Sequence, residues 1–112
     1  PALEALRKSY RDKYRIEPPT TYYQTAYDAA GILFAALERA AVRRSNGGLV
    51  IGRQALRDAL YATKGYPGVG GLLQCDQFGD CATPRFNVLR MDDPARGLAG
   101  LTANVVYTYA PR

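Results

Sequence analysis

Residues 21–41 read TYYQTAYDAAGILFAALERAA, a run with the 3.6-residue period of a helix. Tyr27, Ala30, Phe34, Leu37 and Ala41 form one apolar stripe, and Ala26, Ala29, Leu33, Ala36 and Ala40 form a second. Two stripes predict a helix covered on most sides, and the many small residues predict close packing. Thr21 and Gln24 have the spacing of a capping box, in which the hydroxyl bonds the amide of Gln24 and the Gln24 side chain reaches back. Ser45-Asn46-Gly47-Gly48 is expected to end the helix, because Asn and Gly accept the left-handed conformation. Arg39, Arg43 and Arg44 would then complement the negative end of its dipole.

Upstream, Leu3, Leu6, Tyr10 and Tyr14 recur at helical spacing, which predicts a first helix from about Ala2 to Tyr14. Pro18-Pro19 prevents its continuation. Downstream, Leu49-Val50-Ile51 is a short apolar lead-in to a third helix from about Arg53 to Ala62. Gly65, Pro67, Gly68, Gly70 and Gly71 make a turn region. That glycine cluster lacks the G-K-[ST] ending of a phosphate-binding loop and leads into a strand, so a nucleotide site is rejected. The period then changes to two. Leu72 to Cys75 and Phe86 to Met91 are expected to pair as a hairpin around residues 76–80. Asp92 to Gly100 reads as a loop and Asn104 to Tyr109 as a final strand. The expected fold class is α+β: three helices, then a β-hairpin and a last strand. Three short strands can hardly cover three helices, an odd inventory for a self-contained domain.

The 112 residues are 47% hydrophobic and 11% aromatic, a globular composition. Lysine and arginine number 15 against 10 acidic residues, a formal charge of +5. Basic residues scattered over exposed helix faces explain it, with an acidic partner as the alternative. Histidine is absent, which removes the commonest general base and the commonest zinc ligand. No nucleophile–base pair stands out, so no catalytic residue, metal or cofactor is expected and the chain does not read as an enzyme. The longest apolar stretch, Ala29 to Leu37, is far too short to span a bilayer. The sequence begins at Pro1 without a signal-peptide pattern, so either a targeting segment has been removed or the chain belongs to something longer.

Cys75 and Cys81 stand six apart across the expected turn, where their Cβ atoms can approach bonding distance. The spacing reads as a structural disulfide, with free thiols as the alternative. A redox pair more often shows C-x-x-C spacing, and a metal would need further ligands. A disulfide implies an oxidising compartment. Asp76 and Asp80 read as turn-forming aspartates, since a calcium loop needs more oxygens at fixed spacing. Tyr22 and Tyr23 fall in the first turn of the second helix, where free amides can meet a ligand carboxylate. On their chemistry alone they read first as residues packing at a helix start. Tyr107 and Tyr109 read as core or edge-strand aromatics, with a base-stacking platform as the alternative.

Four segments, taken in order, resemble one family. Tyr27-Asp28-Ala29-Ala30 follows a helix ending Lys13-Tyr14-Arg15-Ile16-Glu17-Pro18 and precedes an Ala/Leu-rich helix. The segment from Gly48 to Leu60 comes next, then Gly68-Val69-Gly70-Gly71 with Cys75-Asp76-Gln77-Phe78-Gly79-Asp80-Cys81, then Asn104-Val105-Val106-Tyr107. Together they are similar to the C-terminal part of type I solute-binding proteins of ABC transporters, the branched-chain amino-acid-binding kind. Each motif is short and the order carries the specificity. Cys75 stands where the family usually has an aromatic residue, and Cys81 is an addition, so the chain resembles a disulfide-bearing variant.

The resemblance implies a two-lobed parent that closes on an amino acid and delivers it to an ABC permease, in the periplasm or outside the cell, with or without a membrane anchor. This chain would be roughly its last third: residues 1–91 a lobe segment with helices and hairpin, residues 92–112 a hinge crossing and the last strand. Tyr22, ahead of the Tyr27-Asp28-Ala29 helix, would line the cleft, with Tyr23 as its less favoured neighbour. Apolar faces left over would be covered by the rest of the parent or by self-association. The ligand-binding ectodomain of a receptor or sensor is the alternative of the same fold. A small basic nucleic-acid-binding protein is the remote one, and no nucleic-acid partner is expected.

Overall fold

The computed structural model of the chain describes residues 2–82 and 85–110. It is mixed α/β, with four helices and three two-stranded antiparallel sheets. Two compact units divide it, residues 1–82 and residues 83–112. The expected last segment, residues 92–112, includes two positions outside the described residues.

In the first unit, α1 spans Ala2–Tyr14 and α2 spans Tyr22–Ala40. The backbone of α2 leaves the helix at Ala41, not at Ser45. Ala41–Arg43 forms β1 and pairs with β2, Leu49–Ile51, in the register Ala41↔Ile51 to Arg43↔Leu49. Arg43 and Arg44 therefore do not sit on a helix end. The turn between the strands is closed by the Gly48 amide on Asn46 Oδ1 (3.0 Å), and Gly47 takes φ 82°. The expected capping box is also absent. Thr21 is helical itself and makes no side-chain cap, while the Thr20 hydroxyl accepts from the Tyr22 amide at 3.3 Å.

Helix α3, Arg53–Tyr61, packs against α2. The residues buried on α2 are Asp28, Ile32, Ala36 and Ala40, one per turn, so a single stripe is covered. Tyr27, Leu33 and Phe34 stay exposed, which corrects the expectation of a helix covered on most sides. Gly31 has a specific use. The Tyr66 ring lies against it where a Cβ would collide with the phenol oxygen, so the helix accepts glycine's propensity cost of about 1 kcal/mol.

Tyr66 begins β3, Tyr66–Gly68, which pairs with β4, Gly71–Leu73. The glycine-rich region is thus itself a hairpin. The expected turn supplies a strand of its own, β3, which is the partner of the expected strand before Cys75, found here as β4.

The second unit pairs β5, Phe86–Leu89, with β6, Val105–Tyr109. This overturns the expected pairing of Leu72–Cys75 with Phe86–Met91. The expected loop at 92–100 holds a 3₁₀ turn, Pro94–Arg96, started by Asp93 accepting from the Ala95 amide. Helix α4, Gly97–Thr102, follows. Arg90 grips Asp92 with two nitrogens, and Asn104 bonds both Asp92 and the Arg90 carbonyl, closing the ribbon's end.

Candidate functional site

The focus of the first unit is Asp28. It sits on the buried stripe of α2, four residues before Ile32 and eight before Ala36. A carboxylate there requires hydrogen-bond partners, because an unpaired buried charge is strongly unfavourable. The β3–β4 turn supplies them. The Val69 amide donates to Asp28 Oδ1 (2.7 Å) and the Gly70 amide to Oδ2 (3.0 Å). The approach is close enough to exclude a side chain at position 68, where a Cβ would lie 2.7 Å from Oδ2 and 2.9 Å from a Leu73 methyl. Asp28 therefore joins the Tyr27-Asp28-Ala29-Ala30 motif to the Gly68-Val69-Gly70-Gly71 motif.

Beside this clasp lies a groove of about 350 Å³, walled by Asp28 and Ile32 of α2, Leu60 of α3, Leu73 of β4, and Cys81 and Ala82. Its surface is mostly hydrocarbon, and the Asp28 oxygens already hold two donors. Chemically it suits apolar groups rather than a charged ligand.

Cys75 and Cys81 form a disulfide. The loop between them is organised by Asp76, whose Oδ1 accepts the amides of Phe78 (2.8 Å) and Asp80 (2.9 Å), a turn-forming role. Gly79 takes φ 91° and its Cα faces the Tyr61 ring closely enough to exclude a Cβ. Cys75 is held to the end of α3 by its amide on the Thr63 carbonyl (2.9 Å) and its carbonyl on Lys64 Nζ (2.7 Å). Thr63 is buried, and its hydroxyl accepts from Arg39 of α2 at 3.3 Å. The loop, α3 and α2 thus form one connected network. A disulfide is compatible with an oxidising environment.

The two tyrosines are separated. Tyr22 is 76% exposed and projects from the start of α2. Tyr23 is half-buried and lines a hollow of about 400 Å³ with Arg7, Glu17, Pro18 and Thr21. Glu17 accepts from Arg7 (2.9 Å) and Arg11 (3.0 Å), folding the segment after α1 back along that helix. The hydrogen bond from Arg7, helped by Arg11, holds the Glu17 carboxyl below its ordinary range against a smaller opposing effect of desolvation. The same contact raises Arg7. The hollow therefore offers a phenol and paired charges, while Tyr22 offers a free aromatic surface.

In the second unit Tyr107 and Tyr109 share a face of the ribbon with Phe86, which stacks on Tyr109 at 5.2 Å. They are surface aromatics here, 55% and 37% exposed. Among the described residues no group of three or more Cys, Asp or Glu could hold a metal ion, and no helix is long and apolar enough to cross a membrane.

Asp28 stands in the Tyr27-Asp28-Ala29-Ala30 motif, and the resemblance assigns it no role of its own. The signal was available: a carboxylate in register with Ile32, Ala36 and Ala40 must be paired when its stripe is buried. A glycine hairpin with free amides is the natural partner. Comparison with protein-family models, with curated proteins and with solved structures gives no match.

Proposed function

We propose that the chain is the C-terminal portion of an extracytoplasmic solute-binding protein of type I, serving an ABC importer of branched-chain or related amino acids. The observation that supports this most is the Asp28 clasp on Val69 and Gly70. It brings together two of the four segments that resemble the family, 41 and 42 residues apart in sequence, and gives the Asp and the glycines of those segments one shared structural reason. The Cys75–Cys81 disulfide suits a periplasmic or extracellular setting. The role is binding rather than catalysis. Tyr22, free at the helix start, is the wall residue offered to a solute held between two lobes, with Tyr23 behind it. The solute and the permease are partners of the parent molecule.

Calorimetric titration of the twenty amino acids tests this on both molecules. This chain alone is expected to bind none of them, because half of the cleft lies elsewhere. The parent polypeptide is expected to bind one or a few, and Tyr22→Ala in it to weaken binding by about tenfold, the effect of losing one aromatic contact. Tight binding by this chain alone rejects the lobe assignment. A parent that binds no amino acid rejects the solute class.

A further inference from the structure

The two sulfurs of the disulfide have unequal surroundings. Cys75 is 1% exposed, pinned on both sides of its backbone by Thr63 and Lys64. Cys81 is half-buried and forms part of the wall of the apolar groove. A thiol attacking a disulfide must approach along the sulfur–sulfur axis, from behind the sulfur it bonds. Cys75 is buried at the end of α3, whereas Cys81 is the member of the pair that lines the groove.

We propose that Cys81 is a site of thiol modification: an external low-molecular-weight thiol enters through the groove and opens the staple at that sulfur. The attacking thiolate forms a new bond to Cys81 Sγ, and the Cys75–Cys81 bond breaks with its electron pair on Cys75 Sγ, which then takes a proton from water. One disulfide is exchanged for another, so no further oxidant is needed. A second thiol can attack the mixed disulfide, leaving Cys81 reduced and releasing the thiol as its own disulfide. The Lys64 ammonium, held on the Cys75 carbonyl, favours the leaving thiolate at that position. After opening, Cys75 stays anchored to α3 through its backbone, while residues 76–82 lose their covalent tie. The groove wall made by Cys81 and Ala82 is then released, so the modification acts on the groove beside the Asp28 clasp.

The experiment exposes the intact chain briefly to reduced glutathione, quenches with acid, alkylates free thiols and locates the adduct. Cleavage before aspartate cuts ahead of Asp76 and Asp80 and so separates the two cysteines into different peptides. Glutathione is expected on the Cys81 peptide and the alkyl label on the Cys75 peptide, in at least about tenfold excess over the reverse. The same exposure in strong denaturant is expected to abolish the preference, which separates an effect of the fold from one of neighbouring residues. An even distribution in the folded chain, an excess on Cys75, no adduct at millimolar glutathione, or a preference that survives denaturation each overturns the proposal.

Discussion

Removing the Asp28 carboxylate leaves the amides of Val69 and Gly70 without their acceptors in a part-buried setting. Hydrogen bonds to a charged acceptor contribute more than neutral ones, so Asp28→Ala is expected to destabilise the first unit by about 2–3 kcal/mol. Asp28→Asn keeps one acceptor oxygen and is expected to cost less. Gly68→Ala is expected to be damaging for a steric reason, since its Cβ would meet both the carboxylate and Leu73, whereas Gly70→Ala meets only one carboxylate oxygen at 3.3 Å. Urea unfolding of the four variants checks the order; an Asp28→Ala chain as stable as the original removes the clasp from the energetics. The disulfide is a separate contribution. Replacing both cysteines by Ala is expected to cost about 2 kcal/mol, the chain-entropy value for so short a loop, read in the same urea experiment.

Helix periodicity made α1, α2 and α3 legible within a residue or two at most ends, because one buried stripe suffices to declare a helix. The exit of α2 was not legible. Ala41-Val42-Arg43 continues the apolar pattern, and only its pairing with Leu49–Ile51 pulls it out of the helix. The partners of the strands were hidden for the same reason: alternation identifies a strand but not its neighbour. A tight hairpin within Tyr66–Leu73 competes with any longer-range pairing and has the smaller loop to close. Of the candidate site, the disulfide was legible from spacing, while Asp28 needed knowledge of which face of α2 is buried.

The segment after α1 carries its own test. Glu17, held low by Arg7 and Arg11, contributes its stabilisation above the ordinary glutamate range, where both folded and unfolded forms are ionised. That contribution is lost as pH falls through the depressed folded value. An NMR titration is expected to place the Glu17 midpoint below the ordinary glutamate value, and an Arg7→Ala/Arg11→Ala double variant to return it there. An unmoved midpoint in that variant assigns the depression to something other than the two guanidiniums.

Across the whole chain, the buried hydrophobic residues among those described are Ile32, Ala36, Ala40 and Cys75, three of them small. Exposed large apolar residues run along α2 and on both strands of the β1–β2 and β5–β6 pairs: Tyr27 and Phe34, Val42 and Val50, Val88 and Tyr107. The β5–β6 ribbon is apolar on both sides, since Val88 pairs with Tyr107 on one face and, across a register shift, Leu89 pairs with Val105 on the other, and Val105 and Tyr107 are both exposed. A two-stranded ribbon is marginal in water, and one apolar on both faces is built for the interior of a larger sheet. The proposal of a portion of a two-lobed parent accounts for this, because the missing layers would lie on those faces. Hydrogen exchange of the chain by itself is therefore expected to protect α2 and α3 amides best, with β5–β6 amides exchanging much faster. In sedimentation the chain should self-associate or, as a monomer, unfold at low urea. A chain that is strictly monomeric, highly stable and slow to exchange throughout β5–β6 would have its apolar surface satisfied without a parent, and the assignment to a larger lobe would fall with it.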